Sequence, residues 1–171
     1  MAMKKVVTET YVRYLLPPRS KEVAVFDMDD TLAYYCKERR LPLCHEFEPV
    51  EDILQIALDC QRNGTDIAIA TARPSWTVYN TFQWLRSHDL HVRALYCRNR
   101  TLSHGYPPHE LKREMLLDIQ SHWVVAGFYD DAPLNVAVAR ELGIPATHVP
   151  GNEAYWEAKA LREGWAVGVA Q

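Results

Sequence analysis

The sequence predicts an α/β fold: a three-layer α/β/α arrangement with helices on both faces of a central parallel sheet. Three observations carry this. Short apolar runs alternate with amphipathic segments along most of the 171 residues. The runs are almost continuously apolar, as strands covered on both faces must be. Polar residues able to do chemistry stand where the runs end, and in such sheets ligands bind beyond the carboxyl ends of the strands.

The elements follow in order. Val23 to Phe26 reads as a short buried strand, and Ile67 to Ala70, bounded by Asn63-Gly64 and Thr71, as a second. His91 to Tyr96, Trp123 to Tyr129 and Pro145 to Val149 supply three more. Between them, Val50, Ile53, Leu54, Ala57 and Leu58 recur at helical spacing, with Gly64 as the stop. Trp76 to His88 carries Val78, Phe82 and Leu85. Pro108 to Ile119 starts on a proline suited to a first helical turn, and Ala132 to Leu142 runs into Gly143. Residues 32–48 are too polar and irregular for a core helix and read as a small flap beside the first strand end. Residues 1–20 read as an N-terminal extension to a single domain over 21–171, with Tyr11, Tyr14, Leu15 and Leu16 available for packing. The apolar stretch Trp165 to Ala170 is suited to cover a sheet edge or to join a homo-oligomer contact.

Composition narrows the function classes. The chain is 48% hydrophobic and 24% charged with a net charge of -3, so any nucleic-acid contact must come from a local patch. No apolar run reaches membrane-spanning length and the N-terminus lacks the apolar core of a signal peptide, which makes a cytoplasmic location the expectation. Cys36, Cys44, Cys60 and Cys97 form no CxxC pair, so they are expected as free thiols.

The chemistry is concentrated at the strand ends. Asp27-Met28-Asp29-Asp30-Thr31 follows the first strand directly. Alternation along extended chain lets Asp27 and Asp29 face one pocket, where one carboxylate can act as nucleophile while the other moves protons. Thr71 and Arg73 end the second strand, Cys97 and Arg98 the third, and Asp130 and Asp131 the fourth. The last pair also suits the N-cap of the helix that follows at once.

These residues resemble the four motifs of the haloacid dehalogenase (HAD) superfamily phosphatases, in order: Asp27-Met28-Asp29-Asp30-Thr31, Thr71, a lysine best placed at Lys112 with Arg113 as competitor, and Asp130-Asp131. The resemblance implies a HAD-like Rossmannoid fold, and the short spacing between the motifs leaves no room for a large cap between the first two or between the second and third. The resemblance also implies an aspartyl-phosphate mechanism, with Asp27 as nucleophile, Asp29 as acid and base, Thr71 donating to a phosphoryl oxygen and Lys112 offsetting charge. It places Asp30, Thr31, Arg73 and Arg98 on the substrate side. Mg2+ would be held by Asp27, the backbone carbonyl of Asp29 and the fourth motif, with Asp131 preferred as direct ligand over Asp130.

Within the superfamily, residues 22–155 are most similar to the phosphatase half of bacteriophage polynucleotide kinase–phosphatases, which act on 3′-phosphates of nucleic-acid ends. No GxxxxGK[ST] phosphate loop is present, so no kinase activity is expected. The expected partner is a phosphorylated nucleic-acid end or a nucleotide. Lys37, Arg39, Arg40, Arg93, Arg98 and Arg100 would form a basic rim, with Tyr34, Tyr35, Tyr96 and Tyr106 as stacking surfaces. A small-molecule phosphatase such as a nucleotidase is the alternative. An inactive HAD-like binding module is the alternative from another class.

Overall fold

The computed structural model describes residues 2–36 and 41–164. Lys37, Arg39 and Arg40 of the expected rim, and the apolar tail of residues 165–170, lie outside the described residues.

Among the described residues seven strands form one sheet: β1 (Lys4–Val7), β2 (Tyr11–Leu15), β3 (Glu22–Phe26), β4 (Asp66–Pro74), β5 (Ala94–Arg98), β6 (Val124–Asp130) and β7 (Ala146–His148), in the order β1-β2-β5-β4-β3-β6-β7. From β5 to β7 every neighbouring pair is parallel. Among the described residues five α-helices accompany it: α1 (Glu51–Arg62), α2 (Val78–Ser87), α3 (Pro108–Gln120), α4 (Pro133–Glu141) and α5 (Glu153–Glu163). The fold class is therefore α/β in three layers, as the alternating pattern requires.

Period-two alternation sorts the strands into two cores. Ala24, Phe26, Ile67, Ile69, Leu95 and Cys97 face the layer of α1 and α2, where Leu54 and Trp84 meet them. Val23, Val25, Ala68, Ala70, Ala94 and Tyr96 face the opposite layer, with Leu111 and Met115 of α3 and Ala139 of α4. Gly64 and Gly143 follow α1 and α4 with φ of 84° and 76°, the left-handed conformation that ends a helix cheaply when no Cβ is present.

Two features change the picture drawn from sequence. Residues 4–15 form a hairpin whose β2 pairs antiparallel with β5, Tyr11 opposite Arg98 and Leu15 opposite Ala94, so the sheet is mixed at that edge. The region 32–48 has buried ends: Leu32, Ala33, Cys36, Cys44 and Phe47 all lie in the core, and the indole N–H of Trp84 donates to the Phe47 carbonyl at 2.7 Å. All four cysteines are free, and burial pushes the Cys97 thiol up to about 12, which marks it as packing. No helix among the described residues is long and apolar enough to cross a membrane.

Candidate active site

The site lies where β3 sits between β4 and β6. The chain reaches β4 from β3 through α1 on one face and reaches β6 from β5 through α3 on the other. The strand order therefore reverses at β3, which opens a crevice at its carboxyl end. Asp27 follows β3 there, with its N–H donating to the Tyr129 carbonyl at 3.0 Å. The next residues fold tightly back: Leu32 and Ala33 donate to the Met28 carbonyl at 2.9 and 3.0 Å. Asp30 turns the corner at φ 63°, a conformation Asp tolerates better than most residues.

Asp27, Asp29, Thr71, Arg73, Lys112, Asp130 and Asp131 all line one cleft of about 250 Å³. Lys112 is buried, and its Nζ lies 3.1 Å from Asp27 Oδ1, 3.3 Å from Asp130 Oδ2 and 2.5 Å from the Ala70 carbonyl. Burial acts to discharge this ammonium, but the two carboxylates outweigh it and its pKa is raised. Arg113, the neighbouring cation, points away to Glu141 at 2.7 Å and Glu110 at 3.3 Å.

The acidic residues divide by their partners. Asp130 is fully buried; its Oδ1 accepts the Ala132 N–H at 2.8 Å and its Oδ2 accepts from Asn135 Nδ2 at 3.0 Å. It thus holds Ala132 and Asn135 at the start of α4 and partners Lys112, but the N-cap of α4 is Ala132, with no side-chain cap bond, and not the acidic pair the sequence suggested. Asp131 is half-buried and meets the Thr31 hydroxyl at 3.3 Å, the distance at which Thr31 also reaches Asp27 Oδ2. One oxygen each from Asp27, Asp130 and Asp131 lie within 4.8 Å of one another. Asp29 stands apart from this group. Arg73 Nε is 3.0 Å from both Asp29 carboxylate oxygens, and Nη2 is 2.6 Å from Oδ1.

Burial pushes the Asp27 carboxyl well above its ordinary range; Lys112 pulls it down, while Asp130, Asp131 and Asp29 push it up further. Asp131 is raised as well, by burial and then by Asp130. Four carboxyl groups (Asp27, Asp29, Asp130, Asp131) face two cations (Lys112, Arg73), so that with all four ionised the site holds two negative charges in excess. That excess, presented as carboxylate oxygens, fits one hard divalent cation.

Other residues named from sequence fall elsewhere. Asp30 accepts the Tyr35 N–H on its carboxylate at 3.0 Å and, on its carbonyl, the Asn152 amide at 3.1 Å. Arg98 donates to the Leu102 and Ser103 carbonyls at 3.2 and 2.5 Å and so fastens the loop after β5. Arg93 does not belong to a rim at the site. β5 starts at Ala94, which puts Arg93 at the far end of the sheet, where its guanidinium bonds the Pro17 carbonyl. Tyr96 is no stacking surface: it is fully buried, with its hydroxyl on Asp118 at 2.5 Å. Tyr34 stacks on Tyr155 at 3.6 Å, and Tyr106 donates to Glu114 at 3.0 Å. Tyr35 does line the cleft.

Asn135 and Thr81 were missed from sequence. Thr81 Oγ1 accepts from Arg73 Nη1 at 3.0 Å. The available signal was a polar residue on the buried side of each of two otherwise apolar helix faces.

No family model and no curated protein matches the chain. Solved structures do. A chain of the Pnkp1/Rnl/Hen1 RNA repair complex superimposes with a TM-score of 0.69 over 82% of this chain at 18% identity. The present chain spans 46% of that one, under half its length. A HAD-like phosphatase structure from Mesorhizobium loti gives 0.65 at 12% identity, covering 81% of this chain and 78% of that one. D,D-heptose 1,7-bisphosphate phosphatase from B. bronchiseptica, complexed with magnesium and phosphate, gives 0.58 at 13% identity over 81% and 86%. The chain has the fold of the HAD-like phosphatases.

Proposed function

We propose that this chain, with the HAD-like phosphatase fold as its frame, is a magnesium-dependent phosphomonoesterase acting through an aspartyl-phosphate on 3′-phosphate ends of polynucleotides. The observation that carries the chemistry is the placing of Asp27. Its carboxylate stands at the switch point of the sheet, 3.1 Å from a buried lysine and within one oxygen cluster with Asp130 and Asp131.

Asp27 attacks phosphorus as the bond to the leaving oxygen breaks, and that oxygen takes a proton from Asp29. Water then attacks the aspartyl-phosphate, Asp29 accepts its proton, and inorganic phosphate leaves with Asp27 restored. Lys112 faces the nucleophile and offsets charge that grows on the phosphoryl oxygens. Thr71 Oγ1 already accepts the Arg73 N–H at 3.1 Å, so its own O–H is left to donate to a phosphoryl oxygen. Asp27 and Asp131 would hold magnesium with the Asp29 carbonyl, and Asp130, spent on Lys112, Asn135 and the α4 N-terminus, would fix the arrangement from behind. When bound, magnesium supplies positive charge that keeps Asp27 ionised and screens the phosphoryl group.

The polynucleotide reading is supported by the likeness to a chain of an RNA repair complex and by the absence, among the described residues, of a domain between β3 and β4 that would close over the cleft. The test is magnesium-dependent phosphate release from a 3′-phosphorylated oligonucleotide, a 5′-phosphorylated one, nucleoside monophosphates and sugar phosphates. The 3′-phosphorylated oligonucleotide is expected to turn over fastest. Turnover of mononucleotides alone would make the chain a nucleotidase and end the polynucleotide reading.

A further inference from the structure

A second, larger cavity of about 630 Å³ lies between α2, the segment Leu90 to Arg93 that precedes β5, and Met3, Leu16 and Arg19 on either side of the N-terminal hairpin. Its wall carries Arg19, Arg86, His91 and Arg93, and among the described residues no carboxylate lines it. In a chain of net charge -3, this cluster is no reflection of a generally basic surface. Arg19 and Arg86 are exposed, and neither guanidinium has a carboxylate within 4.0 Å among the described residues.

The cavity is joined to the catalytic cleft by a short run of chain. Pro74 lines the cleft; Trp76, 50% exposed, follows in the 3-10 turn Ser75–Thr77; Tyr79, 77% exposed, lines the cavity. At helical rises, Pro74 to Tyr79 spans roughly 10 Å. Tyr79, Gln83 and Arg86 then share one face of α2, leading away from the cleft. Exposed aromatic rings followed by unpaired guanidinium groups match the needs of a single strand, whose bases stack and whose phosphates need cations.

We infer that the cavity along α2 holds the body of a single-stranded polynucleotide, with Trp76 and Tyr79 stacking bases and Arg19 and Arg86 contacting phosphates. The inference rests on the polynucleotide reading above and extends it from the reacting end to the path of the strand.

The experiment uses the magnesium-loaded protein and a fluorescein-labelled 12-mer ending in a 3′-hydroxyl, which binds without turnover. Fluorescence anisotropy is followed across a salt series. The double variant Arg19→Gln/Arg86→Gln is expected to bind about tenfold more weakly. Its slope of log K against log salt should be shallower by about 1.4, the value for two lost phosphate contacts on a single strand. Tyr79→Ala is expected to bind at least fivefold more weakly at unchanged slope, since it removes a stacking surface and no charge. The ratio of kcat/KM for a 3′-phosphorylated 12-mer to that for a 3′-mononucleotide should fall about tenfold in the double variant.

Unchanged affinity and slope in the double variant overturn the inference. So does a loss of self-association in that variant, read by sedimentation, because a second copy would then be the occupant. A wild-type protein that binds the 12-mer through these residues but releases no phosphate from any oligonucleotide leaves the groove standing and removes the activity. Turnover of the 12-mer that ignores all three substitutions does the reverse.

Discussion

Arg73 grips Asp29 through Nε and Nη2, at 3.0 and 2.6 Å, from a guanidinium with no exposed side-chain surface. Burial opposes the charge of Arg73, but Asp29 outweighs it, so the arginine stays cationic and the pair is held firmly. Nη1 is fixed in turn by Thr81 at 3.0 Å. The planar fork thus spends its donors on aiming Asp29, the acid–base group of the proposed mechanism.

Arg73→Lys keeps the charge and loses the fork. A displaced acid–base group is worth about 10²-fold in rate, so kcat should fall by roughly that factor with KM little changed. Steady-state kinetics on a small aryl phosphate check it. A kcat within twofold of wild type would show that Arg73 does not position Asp29.

Lys112→Met removes the ammonium that lies within 4.0 Å of both Asp27 and Asp130. Two buried carboxylates then lack their shared cation, at a cost of about 3 kcal/mol. For a chain of this size the metal-free melting temperature should fall by on the order of 10 °C. Magnesium should restore part of the loss. Equal melting curves for the variant and the wild type would contradict the pairing.

The raised carboxyl of Asp27 sets a pH dependence of stability. Between the ordinary carboxylate range and its raised value, the folded state holds a proton that the unfolded state has released. Stability therefore falls as pH rises through that window. Comparing wild type with Asp27→Asn isolates this contribution. In EDTA, the variant's advantage in melting temperature should grow from about pH 4 towards neutrality, and magnesium, which favours the ionised carboxylate, should shrink it. Asp27→Asn should also abolish turnover. An advantage that shrinks with rising pH in EDTA would have the wrong sign.

Helix α5 ties Tyr34 and Glu48, at the two ends of the 32–48 region, to the turn after β3. Asn152 Nδ2 donates to the Asp30 carbonyl at 3.1 Å, Tyr155 stacks on Tyr34 at 3.6 Å, and Lys159 pairs with Glu48 at 2.8 Å. Tyr155→Ala should cost about 1 kcal/mol of aromatic stacking beyond the lost area. Hydrogen exchange at the amides of Thr31 to Tyr35 should quicken accordingly. Unchanged exchange there would show that α5 does not brace the turn.

Much of the site was legible because its residues sit at element ends that local pattern marks. An apolar run followed by Asp27-Met28-Asp29, and another followed by Asp130-Asp131, expose their own boundaries through the change from buried to polar side chains. The two outer pieces were harder to read. Tyr11–Leu15 becomes a strand by pairing with β5, roughly 80 residues further along, and Lys4–Val7 by pairing in turn with β2; no local signal announces the distant partner. Glu153–Glu163 is rich in helix formers and ends before Gly164, which was the available signal for α5.

By itself the sequence determined the α/β class, the run of elements from β3 to β7, and which polar residues stand at their ends. These follow from side-chain periodicity and backbone preference, which act over a few residues. Only the tertiary structure decided that β3 lies between β4 and β6, so that Asp27, Lys112 and the Asp130-Asp131 pair meet. It also decided that Arg73 turns inward to Asp29, that Tyr96 is buried, and that Arg93 faces the far end of the sheet. Strand order and side-chain partners are settled by packing between segments far apart in the chain, where burying a charge requires a partner that local sequence does not name.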